Sequence, residues 1–322
     1  MKTFIYKSSH RVLAIATIIA LFLSLCLTSC SNIDRGQGES VSFTDALGRE
    51  VSVQKNPKRV ASLLGSFSDV WLLAGGELCA SASDAWEDFG LSLGDAVNIG
   101  GAHSPSLELL FSASPDLVIA SASTRSHTEM KDVLTSAGID VIYFDVDNFD
   151  DYLHMLDICT DITERKDLYE KNGLLLKSRI DSIKSEFENS NLSENERTVL
   201  LLRASSSSVK AKGSRGTILG EMLSDIGCIN IADSESHLLE NLSVESIIMK
   251  NPHRIFVVTM GNSEEGARDS VEKLIKENPA WNTLEAVREN RIHIMDKRLF
   301  NLKPNASFAR AYEVIYEILT KN

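Results

Sequence analysis

Proline is scarce in this chain, 6 in 322 residues, so neither a collagen-like nor a polyproline architecture is available to it. No Cys-x-x-Cys pair occurs, which removes zinc ribbons and thioredoxin-type redox motifs. There is no G-x-x-x-x-G-K-[ST] and no H-E-x-x-H, so a P-loop and a zincin helix are both excluded. The Gly213-Ser214-Arg215-Gly216 loop is Gly-rich but does not follow the dinucleotide pattern. The 7 His residues stand singly, which speaks against a dedicated metal cage, although residues distant in sequence can converge in space. Positive charge is also short: 33 Lys and Arg face 45 Asp and Glu, for a net charge of -12. No basic stripe offers a nucleic-acid footprint, and an acidic surface does not adhere to anionic lipid. What is present is ordinary for a globular protein, with 43% hydrophobic and 24% charged residues. The length exceeds one small domain and suits two lobes.

The N-terminal end is a different material. Lys2, Lys7 and Arg11 precede an almost wholly apolar run, Val12 to Leu25, which ends at Leu27-Thr28-Ser29-Cys30. This is the layout of a secretory signal, and the run is short for a spanning helix, which needs about 20 residues. The ending resembles a bacterial lipobox, which predicts cleavage after residue 29 and lipidation of Cys30. An uncleaved membrane anchor is the alternative; both place the rest outside the cytoplasm. Removal of residues 1–29 takes three positive charges with it and leaves -15. Cys79, Cys159 and Cys228 then remain, an odd number, expected as small buried hydrophobes.

Residues 30–40 are polar and contain Gly36 and Gly38, the composition of a flexible tether. Val41 to Val53 alternates on either side of Leu47-Gly48, which predicts a hairpin. Strand-like runs then alternate with helical stretches: Val60–Leu64, Leu117–Ala120, Val141–Phe144, Val199–Leu202, Ile255–Thr259 and Ile292–Met295. Several are continuous apolar runs, as strands covered on both faces by helices are, so an α/β fold with mainly parallel sheets is expected. Leu176, Ile180, Ile183 and Phe187 mark one face of a helix within 157–191, a stretch without proline whose one glycine is Gly173. At about 25 residues such a helix would reach roughly 37 Å, enough to cross between lobes. Ala306 to Leu319 is helical by the same pattern.

One segment is echoed. Ser106-Leu107-Glu108 is followed, seven residues after the Glu, by Pro115 and then a strand; Ser243-Val244-Glu245 is followed at the same spacing by Pro252 and a strand. Each reads as a capping Ser, a first-turn Glu, and a Pro that stops the helix before a buried strand. The repetition suggests two similar lobes.

From Val41 onward the chain resembles the periplasmic-binding-protein family that serves iron-siderophore, haem and cobalamin ABC importers. Thr44-Asp45-Ala46-Leu47-Gly48-Arg49, Pro57-Lys58-Arg59-Val60, Asn98-Ile99-Gly100, and Ser106 through Val118 carry the match in the first half. Ile226-Gly227, Asn230-Ile231-Ala232, Pro279-Ala280-Trp281, Ala286-Val287 and Arg291-Ile292 carry it in the second. It departs in two places: Asp69 stands where the family often has Glu, and Pro252-His253 replaces Pro-Asp. The resemblance implies two Rossmann-like lobes, 41–156 and 192–322, joined by one long α-helix in 157–191, with the ligand cleft between the lobes. It implies no chemistry and no cofactor, but a lipid-anchored, monomeric receptor that hands a metal chelate to an ABC permease and its ATPase. Ferric siderophore is the expected cargo, with haem or cobalamin as the alternative; a chelatase, hydrolase or ligand sensor on the same scaffold is the reading from another class. Glu108 and Glu245 match the carboxylates that dock onto permease Arg residues in that family; first-turn carboxylates favoured by the helix dipole are the plain alternative.

Ligands of such folds sit at the carboxyl ends of strands. Candidates there are Ser66, Phe67, Trp86, His103, Arg125, Arg203, Arg215, Met260 and Phe300. Aromatic faces with Arg suit a large, partly apolar anionic chelate. Trp86 could equally pack, and His103 could be an axial ligand or merely structural.

Overall fold

The computed structural model describes residues 39–234, 239, 243–261 and 263–321. The predicted signal 1–29, Cys30 and all but the last residues of the predicted tether 30–40 lie outside the described residues. Among the described residues no helix is long and apolar enough to cross a membrane.

The continuous apolar runs form the centres of two sheets. β1 (Ser40–Thr44) and β2 (Glu50–Gln54) make the antiparallel hairpin predicted at the start. Its turn is held by Asp45, whose Oδ1 accepts from the backbone N–H of Leu47 (3.0 Å) and Arg49 (3.1 Å), and by Gly48 at φ 73. The first sheet contains β3 (Val60–Ser62), β4 (Leu78–Ser81), β5 (Val97–Asn98), β6 (Leu117–Ser121) and β7 (Asp140–Phe144), in the order β5-β4-β3-β6-β7, all parallel. The second contains β8 (Thr198–Ser205), β9 (Ser208–Ala211), β10 (Ile229–Asn230), β11 (Arg254–Thr259) and β12 (Ile292–Met295). Its path β10-β8-β11-β12 is parallel, and β9 folds back antiparallel on β8. The two short strands β5 and β10, with β4 and β9, went unforeseen; they carry too few apolar residues to stand out by pattern.

Burial explains why the central strands read as unbroken apolar runs. Along β6, Leu117 and Ile119 enter one core while Val118 and Ala120 enter another. Along β8, Val199 and Leu201 face one way and Leu200 and Leu202 the other. Each sheet is thus covered on both faces. The inner faces of the two sheets share one cluster, which takes in Ile180, Ile183 and Phe187 of the connecting helix and Phe308, Tyr312, Ile315 and Leu319 of the last helix, Phe308–Thr320.

The long connecting helix is present but begins later than the start of the 157–191 segment. A helix Phe149–Ile162 starts at a capping box of Asn148 and Asp151 and ends at Thr163. Glu164 takes φ 57 there, and its carboxylate accepts from Lys55 Nζ (3.2 Å) and Asn56 Nδ2 (2.7 Å). Such a left-handed residue cannot continue a helix. A second helical run follows from Lys166–Tyr169 through a π-turn, Glu170–Leu174, into Leu175–Glu188, together roughly 35 Å long. Gly173 lies in the π-turn, where a Cβ would come within 3.0 Å of Leu153, so the glycine lets the two helices approach.

Candidate ligand cleft

The chain crosses between the lobes just past the carboxyl ends of strands. Beyond β12, Lys297 Nζ reaches Asp88 (2.8 Å) and Arg298 Nη2 reaches Asp69 (3.2 Å), with the Arg298 guanidinium 4.1 Å above the Phe89 ring. Asn305, fully buried at φ 52, donates from Nδ2 to the Ser66 carbonyl (2.9 Å) and to Asp69 (2.8 Å). Ser66 and Asp69 lie on the helix Gly65–Leu73 after β3, and Asp88 and Phe89 follow the short helix Asp84–Glu87 after β4. The carboxyl ends of the two sheets are therefore apposed, and a strap from Lys297 to Asn305 closes one side of the space between them. Asp69, the departure from the family's Glu, is a partner in this strap.

The carboxyl ends of the first-lobe strands carry buried hydroxyls. Ser62, Ser81 and Ser121 end β3, β4 and β6, and all three are buried. Ser62 pairs with Ser81 in register, and Ser81 with Asn98. Ser81 and Ser68 hydroxyls are 2.6 Å apart, and Ser121 and Ser123 hydroxyls 3.0 Å. Asp84 Oδ2 accepts from Gly65 N–H (2.8 Å), while its buried Oδ1 has no partner. Burial pushes the Asp84 carboxyl above its usual range, opposed by that N–H bond. Gly65 is required here, since a Cβ would sit 2.6 Å from the Ala85 nitrogen. His127 is fully buried: Nδ1 accepts from Ser121 N–H (3.1 Å), so Nε2 carries the proton it donates to the Ala102 carbonyl (2.7 Å). Burial lowers its pKa and keeps the ring neutral.

The second-lobe wall is built from cations. Arg203, near the end of β8, is half-buried, and its buried Nε has no hydrogen-bond partner. Burial lowers its pKa. Lys210 lies opposite it on β9, and Lys212 follows; burial first, and then Arg203 and Lys210, lower the Lys212 pKa. None of the three pairs with a carboxylate among the described residues. Nearby, Ser214 gives both its N–H and its hydroxyl to the Asp233 carboxylate (2.7 Å each), which holds the loop that exposes Arg215.

The predicted site residues divide. Trp86 is half-buried beside the Ser66 helix, His103 is exposed in the loop after β5, and Met260 is 46% exposed after β11. Arg125 is exposed and bound to Glu129 (2.7 Å). Ser66 is buried and serves the strap through its carbonyl. Phe67 and Phe300 must be corrected: both are packed in the shared apolar core, Phe67 edge-on to Phe144, and neither offers surface to a cleft. A strand-end aromatic can turn inward as easily as outward, and the apolar core gains by taking it. Glu108 and Glu245 are exposed in the first turns of helices Leu107–Ser112 and Val244–Lys250, capped by Ser106 (from Leu109 N–H, 3.3 Å) and Ser243 (from Ser246 N–H, 3.4 Å). Residues just before each proline, Ser114 (φ 48) and Asn251 (φ 40), stop both helices in the left-handed region. The strap residues and the lysines of the second wall were missed, because single polar residues carry no periodic signal.

Among the described residues no group of three or more His, Cys, Asp and Glu is arranged to hold a metal ion. Gly90-Leu91-Ser92-Leu93-Gly94 has the letters of a nucleophile elbow, but Ser92 sits in an irregular loop before β5 rather than on a strand-to-helix turn, so it lacks the elbow's context. Cys159 and Cys228 are buried, Cys228 with its pKa raised to about 12 by burial, while Cys79 is only half-buried.

Two apposed α/β lobes around a polar cleft define a bilobal binding protein. The model of the family described as periplasmic binding protein matches residues 60–299, and the chain belongs to that family. A Bacillus subtilis relative, YhfQ, provisionally named an ABC transporter substrate-binding lipoprotein, is 23% identical over 94% of this chain and 95% of its own. The Fe(3+)-citrate-binding protein YfmC of the same species is 25% identical over 90% of each chain. Among solved structures, Staphylococcus aureus SirA complexed with staphyloferrin B matches with TM-score 0.65 at 18% identity, over 87% of this chain and 98% of that one. S. aureus IsdE complexed with heme matches with TM-score 0.66 at 17% identity, over 82% and 99%.

Proposed function

We propose that this protein is the extracytoplasmic solute-binding lipoprotein of an ABC importer, held at the membrane through lipidated Cys30, and that it captures an iron chelate, ferric siderophore first, for delivery to the permease. The observation that carries the cargo reading is the cationic group of Arg203, Lys210 and Lys212 at the end of β8 and on β9, none of which pairs with a carboxylate among the described residues. A half-buried guanidinium without a counter-ion is costly until an anion meets it. Arg215, Arg125, Trp86, His103, Ser66 and Met260 are proposed to complete the cleft, and Glu108 and Glu245 to dock on permease Arg residues. Haem or cobalamin in the same role is the second reading, favoured by the exposed imidazole of His103.

The test is a thermal-shift panel of ferric siderophores, ferric citrate, haem, cobalamin and free metals on the chain beginning after Cys30. A ligand at 100 times its Kd adds about 2.7 kcal/mol. A shift with a ferric chelate that Arg203→Gln abolishes is the expected result. A shift with haem or cobalamin alone selects the second reading, and no shift with any member overturns the chelate assignment. Glu108→Arg with Glu245→Arg should stop uptake and leave affinity in solution unchanged; a collapse of affinity would place those residues in the pocket or the fold.

A further inference from the structure

The two helices that carry Glu108 and Glu245 also carry apolar side chains that the fold leaves outside. In Leu107–Ser112, Leu110 is buried, while Leu109 is 42% and Phe111 37% exposed beside the exposed Glu108. In Val244–Lys250, Ile247 is buried, while Met249, one turn on from Glu245, is 79% exposed. A single exposed apolar residue is ordinary on any surface. Here a carboxylate with a large apolar neighbour recurs at the corresponding helix of each lobe, directly before a fully buried central strand. Each helix begins at the carboxyl edge of its sheet, the same edge that bounds the cleft.

We propose that Leu109 and Phe111 on one lobe and Met249 on the other are apolar anchors of the permease-docking surface, each seated in an apolar depression of the permease beside the basic residue that meets Glu108 or Glu245. The inference rests on the docking reading given above and extends it. Exposed ion pairs alone are weak and screened by salt, so two of them steer an encounter better than they hold it. Well-packed aromatic anchors hold interfaces together, and a flexible thioether adapts to an irregular socket. The occupant is thus a membrane protein whose outer face alternates cationic and apolar features, complementary to an acidic receptor of charge -12 before processing. Charge sets the approach, and the apolar pair sets the lifetime of the complex.

The test measures binding of the full lipidated protein, without cargo, to the purified importer complex in lipid nanodiscs by biolayer interferometry at low and high salt. Phe111→Ser and Met249→Ser are expected to weaken binding about tenfold each, mostly in the dissociation rate and equally at both salt concentrations. Glu108→Gln with Glu245→Gln is expected to slow association at low salt and to converge on the unaltered protein at high salt. Circular dichroism and an unchanged melting temperature verify that the exposed substitutions leave the fold intact. Apolar variants that bind like the unaltered protein, while the Gln pair is impaired, would overturn this inference and leave the docking carboxylates standing. If the Gln pair and the apolar variants are all without effect, the docking reading itself fails.

Discussion

The two lobes repeat one unit and furnish it differently. Both place a Ser-capped helix, an exposed first-turn Glu and a left-handed stop ahead of the central buried strand. Past the strands they diverge: buried serines and the desolvated carboxyl of Asp84 on one side, Arg203, Lys210 and Lys212 on the other. Even the repeated unit is anchored in two ways. Asp116 accepts from the backbone N–H of Lys58 (2.9 Å) and Arg59 (3.1 Å), whereas His253, after the second proline, gives its N–H to the Thr198 hydroxyl (3.0 Å) and meets Arg291 through Nδ1 (3.1 Å). The scaffold keeps backbone hydrogen bonding in both lobes, and side chains at strand ends are free to differ because the sheet's hydrogen bonds do not depend on them.

The largest effect should come from the close approaches on which each lobe depends. Gly65→Ala drives a methyl against the Asp84–Ala85 backbone, and Gly220→Ala drives one into Thr217 Oγ1 and the Ser214 carbonyl. Each should cost up to about 3 kcal/mol, read by urea denaturation. An effect confined to one lobe would show that the other yields locally. Next, Asp69→Ala removes the acceptor of Arg298 and Asn305, for a loss of about 2 kcal/mol. Small-angle scattering should then register a more open mean shape; an unchanged profile would mean that the shared core alone sets the lobes' arrangement. Asp116→Ala should cost on the order of 1 kcal/mol and His253→Ala less, since the His253 anchor is its backbone N–H.

The smallest effect is in pH. Burial lowers the pKa of His127 in the first lobe and of His253 and His293 in the second. A base whose folded pKa lies below its unfolded value binds more protons unfolded, so its stability contribution is complete above about pH 6.5 and is lost as pH falls. The melting temperature should therefore drop between about pH 7 and 5. His127→Gln, which keeps one donor and one acceptor, should flatten part of that slope and leave the share due to the second lobe; an unchanged slope would remove His127 from the account.

The parallel sheets, the hairpin and the two capped helices were legible because each rests on neighbours in sequence: doubly buried apolar runs, a Gly at a turn, a Ser three residues before the N–H it caps. The break at Glu164 was not, since it depends on Lys55 and Asn56, which lie on the opposite side of the lobe's sequence. Arg203 stood out as a strand-end cation, but that its buried Nε meets no hydrogen-bond partner among the described residues depends on every group that folding brings near.

By itself the amino-acid sequence determined an α/β chain with a repeated unit, because periodic burial and capping are local and repeat along the chain, while the order and spacing of its motifs carried the resemblance to the family. Only the tertiary structure decided that Phe67 and Phe300 turn into the core and that Asp69 meets Arg298, its partner 229 positions away. Periodicity says which side of an element is apolar; it does not say which of two apolar spaces, core or cleft, that side will meet. That choice is made when two sheets share one core, where packing rewards whichever aromatic can be fully buried.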